Sequence, residues 1–331
     1  MDVFVQALLI VIGFIMLVKG ADYFVDGSSS IAAGFGIPQL VIGLTVVAMG
    51  TSAPEAAVSI SAAFKGNADI TIGNIVGSNI LNVLIILGLT SVITPIAASK
   101  SAIFIDLPVC IVVTVLLLLL GIDGEIGLPD GIIFIVVFCG YIGYLLWGAK
   151  KGGRALDGAS CEDSPAASDE TAAELVAQEV RHFSMGKALI ATLAGLFFVI
   201  LGSNITVDAA VQLAKDFGVS DRFIGLTIIA LGTSLPELFT SLSAARKGNA
   251  DIAIGNIIGS NIFNMAILAL TDVLYIKGGV YDFSDPKTVN LIYFGIAGTV
   301  LMFAAVKFKK NWVKVCGMLG IIACYACFLL V

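Results

Sequence analysis

GLTVVAMGTSAPEAAVSISAAFKGNADITIGNIVGSNILN, residues Gly43–Asn82, returns as GLTIIALGTSLPELFTSLSAARKGNADIAIGNIIGSNIFN, residues Gly225–Asn264. The two stretches align without a gap at an offset of 182 residues, and 28 of their 40 positions are identical. The offset also reaches upstream: Gly13, Gly20, Val25, Asp26, Phe35 and Gly36 match Gly195, Gly202, Val207, Asp208, Phe217 and Gly218. Downstream, LGLTSVI becomes LALTDVL at an offset of 181, one residue shorter. Each copy sets one carboxylate, Glu55 or Glu237, beside Thr, Ser and Pro in otherwise apolar surroundings.

Those surroundings extend over the whole chain. Of 331 residues 58% are hydrophobic and 13% charged, and the mean hydropathy is +1.03, a balance no water-soluble globule can hide. A bilayer core needs roughly 20 apolar residues per helix. Ten such runs are predicted, at 3–24, 38–64, 69–94, 101–121, 128–148, 187–210, 222–245, 251–276, 288–308 and 312–331. The run LPVCIVVTVLLLLLG, from Leu107, is continuously apolar, whereas a barrel strand alternates, so the expected class is an all-α polytopic membrane protein. The first run lacks a basic leader and is read as a retained helix.

The net charge of −6, with basic residues dispersed over the loops, gives no reason to expect nucleic acid as a partner. Five of the six cysteines lie in apolar runs, so the C-x-x-C of Cys324 and Cys327 reads as packing, and His182 is given no ligand role.

Five spans per half is an odd number, so the second half enters the membrane from the opposite side and the repeat is inverted. The expected units are 1–149, an acidic linker 150–186, and 187–331. The side bearing both termini carries five basic residues (Lys65, Lys215, Arg222, Lys277, Lys287) and the other side twelve. The termini are therefore expected outside and the linker in the cytoplasm. From Ala155 to Val180 the linker has seven acidic residues and no basic ones, and it lacks the ligand spacing of an EF-hand loop.

On a helix Thr51, Ser52, Glu55 and Ser59 present oxygen along one stripe. Pro54 removes the donor for the Gly50 carbonyl, so a bend is expected there. In the third span Asn74, Ser78 and Asn82 form a second stripe, and Gly73 and Gly77 permit close helix approach. The second copy repeats both with Thr233, Ser234, Pro236, Glu237, Asn256, Ser260 and Asn264. The donor set is all oxygen, which suits Ca²⁺, Mg²⁺ or Na⁺ rather than Zn²⁺ or copper.

Packing alone accounts for Ser59, Ser61, Ser241, Ser243, Gly73 and Gly77, and a solvated helix end for Asp22, Asp26 and Asp208. It does not account for Glu55 and Glu237, because a charge at the membrane centre costs about 2.5–3.5 kcal/mol or more and neither span offers a Lys or Arg partner near it.

The paired GTSAPE/GTSLPE and GSNILN/GSNIFN motifs in inverted halves of five helices resemble the α-repeats of the cation/calcium exchanger superfamily, especially its prokaryotic Na⁺/Ca²⁺ exchangers. The resemblance implies a diamond of cation sites between the second, third, seventh and eighth spans. Its ligands would be Glu55, Glu237, Thr51, Ser52, Thr233, Ser234, the carbonyls of Ala48 and Ala230, Ser78, Ser260, Asn82 and Asn264. It also implies sliding of the first and sixth spans over that core. Some relatives, including K⁺-dependent ones, carry Asp where this chain has Asn264, so K⁺ independence is expected.

The resulting expectation is an electrogenic secondary antiporter of the cell membrane that exchanges Na⁺ for Ca²⁺ by alternating access. It needs no cofactor and no obligate protein partner, and its substrates are the two ions. An H⁺/Ca²⁺ antiporter of the same fold is the alternative, and a cation channel the rival of another class. No P-loop motif is present to support a P-loop ATPase, and the chain is expected to be a transporter and not an enzyme.

Overall fold

A backbone inside lipid must satisfy its own polar groups, which leaves the helix as the economical choice for runs this apolar. The computed structural model describes residues 3–64, 68–93, 99–123, 125–151, 184–218, 230–274, 281–282, 289–290, 292–293 and 295–300. Among them six helices are long and apolar enough to cross a membrane, or seven if one bent pair is a single span. The predicted linker lies outside the described residues from 152 to 183, as do residues 222–229 of the seventh span, about half of the ninth and all of the tenth.

Helix α1 (Val3–Phe35) and helix α7 (Met185–Asp216) hold repeat-related positions and pack along each other. At 33 and 32 residues they outrun the predicted spans 3–24 and 187–210. The polar ends that seemed to close α1 continue as helix because Ser28, Ser29 and Ser30 are buried against neighbouring elements. The α1–α7 seam is made of small residues. A Cβ at Gly20 would stand 2.8 Å from the Val199 nitrogen and 2.9 Å from the Gly195 carbonyl. Beyond both helices sits a left-handed glycine, Gly36 at φ 64° and Gly218 at φ 74°, again related by the repeat.

Helices α2 (Gln39–Thr51) and α3 (Ala53–Phe64) are bent by 49° at Ser52, the bend expected from Pro54. The chain returns as α4 (Ala68–Ile80), which runs through a π-wound stretch, Leu81–Ile86, into Leu87–Ile93. Then come α5 (Ala102–Leu120) and α6 (Leu128–Lys151). In the second half α8 (Ala230–Thr233) and α9 (Leu235–Arg246) break at Ser234, and α10 (Ala250–Leu274) follows. A minimal antiparallel pair, β1 (Glu125–Ile126) with β2 (Tyr281–Asp282), joins two loops that each follow an even-numbered span and so share one face.

Helix α10 is the centre of the molecule and touches α2, α3, α4, α5, α6 and α9. Between lipid-embedded helices packing and hydrogen bonds, rather than water exclusion, supply the attraction. Accordingly Gly255 and Gly259 let α2 close to backbone contact: a Cβ at Gly255 would meet the Leu40 carbonyl at 2.8 Å, and one at Gly259 the Leu44 carbonyl at 2.6 Å. Apolar side chains such as Phe4, Ile15, Val136, Trp147, Ile190 and Phe197 point outward from α1, α6 and α7, as lipid-facing surfaces should.

The solvated-cap reading of Asp22 and Asp26 is corrected by the structure. Lys247, just past α9, reaches Asp26 Oδ1 at 2.7 Å and Asp22 Oδ1 at 3.6 Å, and donates to the Asp22 carbonyl at 2.7 Å. Ser243 donates to Asp22 Oδ1 at 2.6 Å, a polar tie where only packing was expected. Because α1 stays helical past Asp26, both carboxylates face α9 instead of ending a span.

Candidate ion-binding site

The two proline breaks are equivalent in sequence and in geometry. Ser52 has φ −80° and ψ 8°, Ser234 has φ −90° and ψ 4°, and a glutamate enters the first helical turn after each. Each carboxylate thus sits at the N-terminal, partly positive end of a half-helix, while the preceding half-helix ends in carbonyls that favour a cation. Glu55 and Glu237 are each 1% exposed.

Each glutamate accepts from the opposite half. Ser52 Oγ donates to Glu237 Oε1 at 2.9 Å, and Ser234 Oγ donates to Glu55 Oε1 at 3.3 Å. Ser78 Oγ also donates to Glu55 Oε1, at 3.5 Å, and Ser234 Oγ lies 3.4 Å from Ser78 Oγ. Ser260 Oγ reaches the Ala48 carbonyl at 3.4 Å, and Thr51 Oγ1 contacts that carbonyl at 3.2 Å and Asn256 Oδ1 at 2.9 Å. Ala48, Thr51, Ser52, Glu55, Ser78, Asn82, Ser234, Glu237, Ser260 and Asn264 are all buried. Thr233 is half-buried and lines a cavity of about 280 Å³ with Pro54, Ser203, Asn204 and Asp208. The backbone of Ala230 lies in α8, one turn before Ser234.

Four side-chain oxygens in this group are buried without a hydrogen-bond donor: Glu55 Oε2, Glu237 Oε2, Asn82 Oδ1 and Asn264 Oδ1. They are related in pairs by the repeat. A buried carboxylate oxygen left without a donor is expensive, and a cation answers the need for all four at once.

The carbonyls released by the prolines find protein partners. A backbone N–H at the end of α2 reaches Gly50, and Ser203 Oγ donates to the Gly232 carbonyl at 2.8 Å. The tighter turn and a neighbouring hydroxyl serve where the i+4 donor is lost. The Ala48 carbonyl, which the proline argument did not single out, is the one that meets Thr51 and Ser260.

Asn74 and Asn256 brace the glutamates from behind. Asn74 Nδ2 donates to the Glu55 carbonyl (3.2 Å) and Ser59 Oγ (3.0 Å), and Asn256 Nδ2 to the Glu237 carbonyl (3.3 Å) and Ser241 Oγ (2.9 Å). Ser59 and Ser241 thereby acquire a bonding role beyond packing. Sequence reasoning passed over Asn79 and Asn261, one residue off the stripe of Ser78 and Asn82. They bond to each other's backbone and to Asn264 and Asn82. The signal was present in the repeated G-S-N-I-x-N, but helical spacing alone assigned those positions to another face.

The family model described as sodium/calcium exchanger protein matches residues 5–147 and 187–331. The inner membrane protein YrbG of Escherichia coli is 32% identical over 303 residues, 92% of this chain and 89% of that protein. The sodium/calcium exchanger MaX1 of Methanosarcina acetivorans is 32% identical over 302 residues, 82% of this chain and 83% of its own. Among solved structures, the sodium-calcium exchanger NCX_Mj soaked with 10 mM Na⁺ and zero Ca²⁺ matches with a TM-score of 0.74 at 31% identity, covering 99% of each chain.

Proposed function

This chain belongs to the sodium/calcium exchanger family, and from that membership we propose that it is an electrogenic, K⁺-independent antiporter exchanging Na⁺ for Ca²⁺ by alternating access. The observation that carries the proposal is the pair of buried glutamates contributed by inverted halves, each with one oxygen lacking a donor. Among the described residues both carboxylates accept hydrogen bonds from serine hydroxyls, Ser52 for Glu237 and Ser78 and Ser234 for Glu55, and neither is paired with Lys or Arg. A divalent cation matches their combined charge of −2, and several Na⁺ would exceed it, which makes exchange through one shared site electrogenic.

The proposed ligands are Glu55, Glu237, Thr51, Ser52, Thr233, Ser234, Ser78, Ser260, Asn82, Asn264 and the carbonyls of Ala48 and Ala230. Neutral amides at both 82 and 264 support independence from K⁺, since the K⁺-dependent pattern carries a further carboxylate. The names of MaX1 and NCX_Mj as sodium/calcium exchangers support Na⁺ as the counter-ion. The two matched segments support a division into 1–149, a linker 150–186 and 187–331. The charge asymmetry of the loops supports a cell-membrane protein with both termini outside and the linker in the cytoplasm.

The test is ⁴⁵Ca²⁺ uptake into proteoliposomes. Na⁺-loaded vesicles diluted into Na⁺-free buffer should accumulate Ca²⁺, while K⁺-loaded vesicles and those with only a pH gradient should not. Equal uptake driven by the pH gradient would replace Na⁺ with H⁺. Ca²⁺ flux that needs no counter-ion would replace antiport with a channel.

A further inference from the structure

We propose that Asn79 and Asn261 are positioning residues, each aiming the amide oxygen of the opposite half's ligand, Asn264 or Asn82, at the transported cations. The inference deepens the proposed ion site and rests on it. An asparagine presents either an oxygen or an NH₂ group in a given direction, and only the oxygen can bind a cation. Something must fix the choice, because the two orientations have nearly the same shape.

The structure supplies a chain of bonds that starts from groups with no choice. A backbone carbonyl can only accept. Asn261 Nδ2 donates to the Asn79 carbonyl at 3.2 Å, and Asn79 Nδ2 donates to the Asn261 carbonyl at 3.1 Å. With its NH₂ committed, each of these side chains turns its oxygen the other way. Asn261 Oδ1 then accepts from Asn82 Nδ2 at 2.9 Å, and Asn79 Oδ1 accepts from Asn264 Nδ2 at 2.9 Å. The NH₂ groups of Asn82 and Asn264 are thus held away, and their oxygens are the buried atoms without a donor. All four asparagines are at most 7% exposed, so water is not a competing partner.

The network is reciprocal between α4 and α10, so each half of the repeat orients a ligand belonging to the other. A pair serving only to fasten the two helices would be complete with the two bonds to backbone. The additional bonds to Asn82 and Asn264 are what the positioning role requires.

The experiment measures Na⁺-driven ⁴⁵Ca²⁺ uptake as a function of Ca²⁺ concentration, with folding monitored by size exclusion and thermal unfolding in detergent. Asn261→Leu removes the acceptor that holds Asn82. The KM for Ca²⁺ should rise about tenfold or more, the change expected when an ion loses one oriented oxygen ligand, with the maximal rate reduced much less. A carboxylate carries oxygen on both branches and needs no aiming. Adding Asn82→Asp to Asn261→Leu should therefore bring KM back to within about threefold of wild type, a rescue that a merely structural loss would not show.

The mirrored set, Asn79→Leu with and without Asn264→Asp, should behave alike and decides the matter if one leucine variant does not fold. An unchanged KM in the folded leucine variants, or failure of both carboxylate rescues, overturns the positioning role. Loss of transport in Glu237→Gln alongside either of those results leaves the ion site standing without it. Full transport in Glu237→Gln removes the site and this inference together.

Discussion

Glu237→Gln isolates the central claim about the site, because it changes charge while keeping shape. Glu237 Oε1 accepts from Ser52 at 2.9 Å, and a glutamine oxygen can keep that bond. Its Oε2 has no donor, and there the variant puts an NH₂ group that cannot bind a cation. Two consequences with opposite signs follow. With Ca²⁺ present, the variant removes one of two negative charges around a divalent ion in a buried site. Removing one partner of a buried charge pair costs about 3–5 kcal/mol, roughly a hundredfold to a few thousandfold in affinity. Without ions, the variant removes a buried charge that lacked a partner, so its unfolding temperature in Na⁺- and Ca²⁺-free buffer should equal or exceed that of wild type. The assay is Na⁺-driven ⁴⁵Ca²⁺ uptake at subsaturating Ca²⁺ together with thermal unfolding in detergent with and without Ca²⁺. Ser61→Ala, at an exposed serine of α3, is the control and should transport normally. Uptake by Glu237→Gln within about threefold of wild type would refute the reasoning, because a carboxylate that touches a buried cation contributes far more than that.

Three further outcomes are expected. Gly255→Ala places a methyl 2.8 Å from the Leu40 carbonyl and 2.9 Å from the Leu44 nitrogen, both backbone atoms, and should destabilise the protein by about 1–3 kcal/mol; an unfolding temperature equal to wild type would mean that α2 and α10 are not held at this distance. Lys247→Met breaks the bonds to Asp22 and Asp26 and leaves two carboxylates facing α9 uncompensated, so it should lower the unfolding temperature more than Lys247→Arg does; equal effects would deny the ion pair a role in holding α1 to α9. A cysteine introduced at position 66 should react with an impermeant maleimide added outside intact cells and one at position 165 should not; the reverse result would invert the orientation read from the loop charges.

The amino-acid sequence by itself determined the class, the repeat and the bend. Lipid leaves helix as the state in which each run satisfies its own backbone, so apolar length alone reads out the spans, and Pro54 marks the 49° break at Ser52 because a missing N–H acts locally. Glu55 and Glu237 stood out for an equally local reason, the energy of a carboxylate in an apolar run. The tertiary structure decided everything that depends on what faces a side chain across the two halves. Helical periodicity assigns Asn79 and Asn261 to a face but cannot say that each meets its repeat equivalent and orients Asn264 and Asn82. It cannot foresee that Lys247 draws Asp22 and Asp26 toward α9, or that Ser203 takes the carbonyl of Gly232. Those partners lie 29 to 225 residues apart in the chain, and only the packing of helix against helix, within a half as for Ser203 and Gly232 or across the halves as for Lys247 and Asp22, brings them within hydrogen-bonding distance.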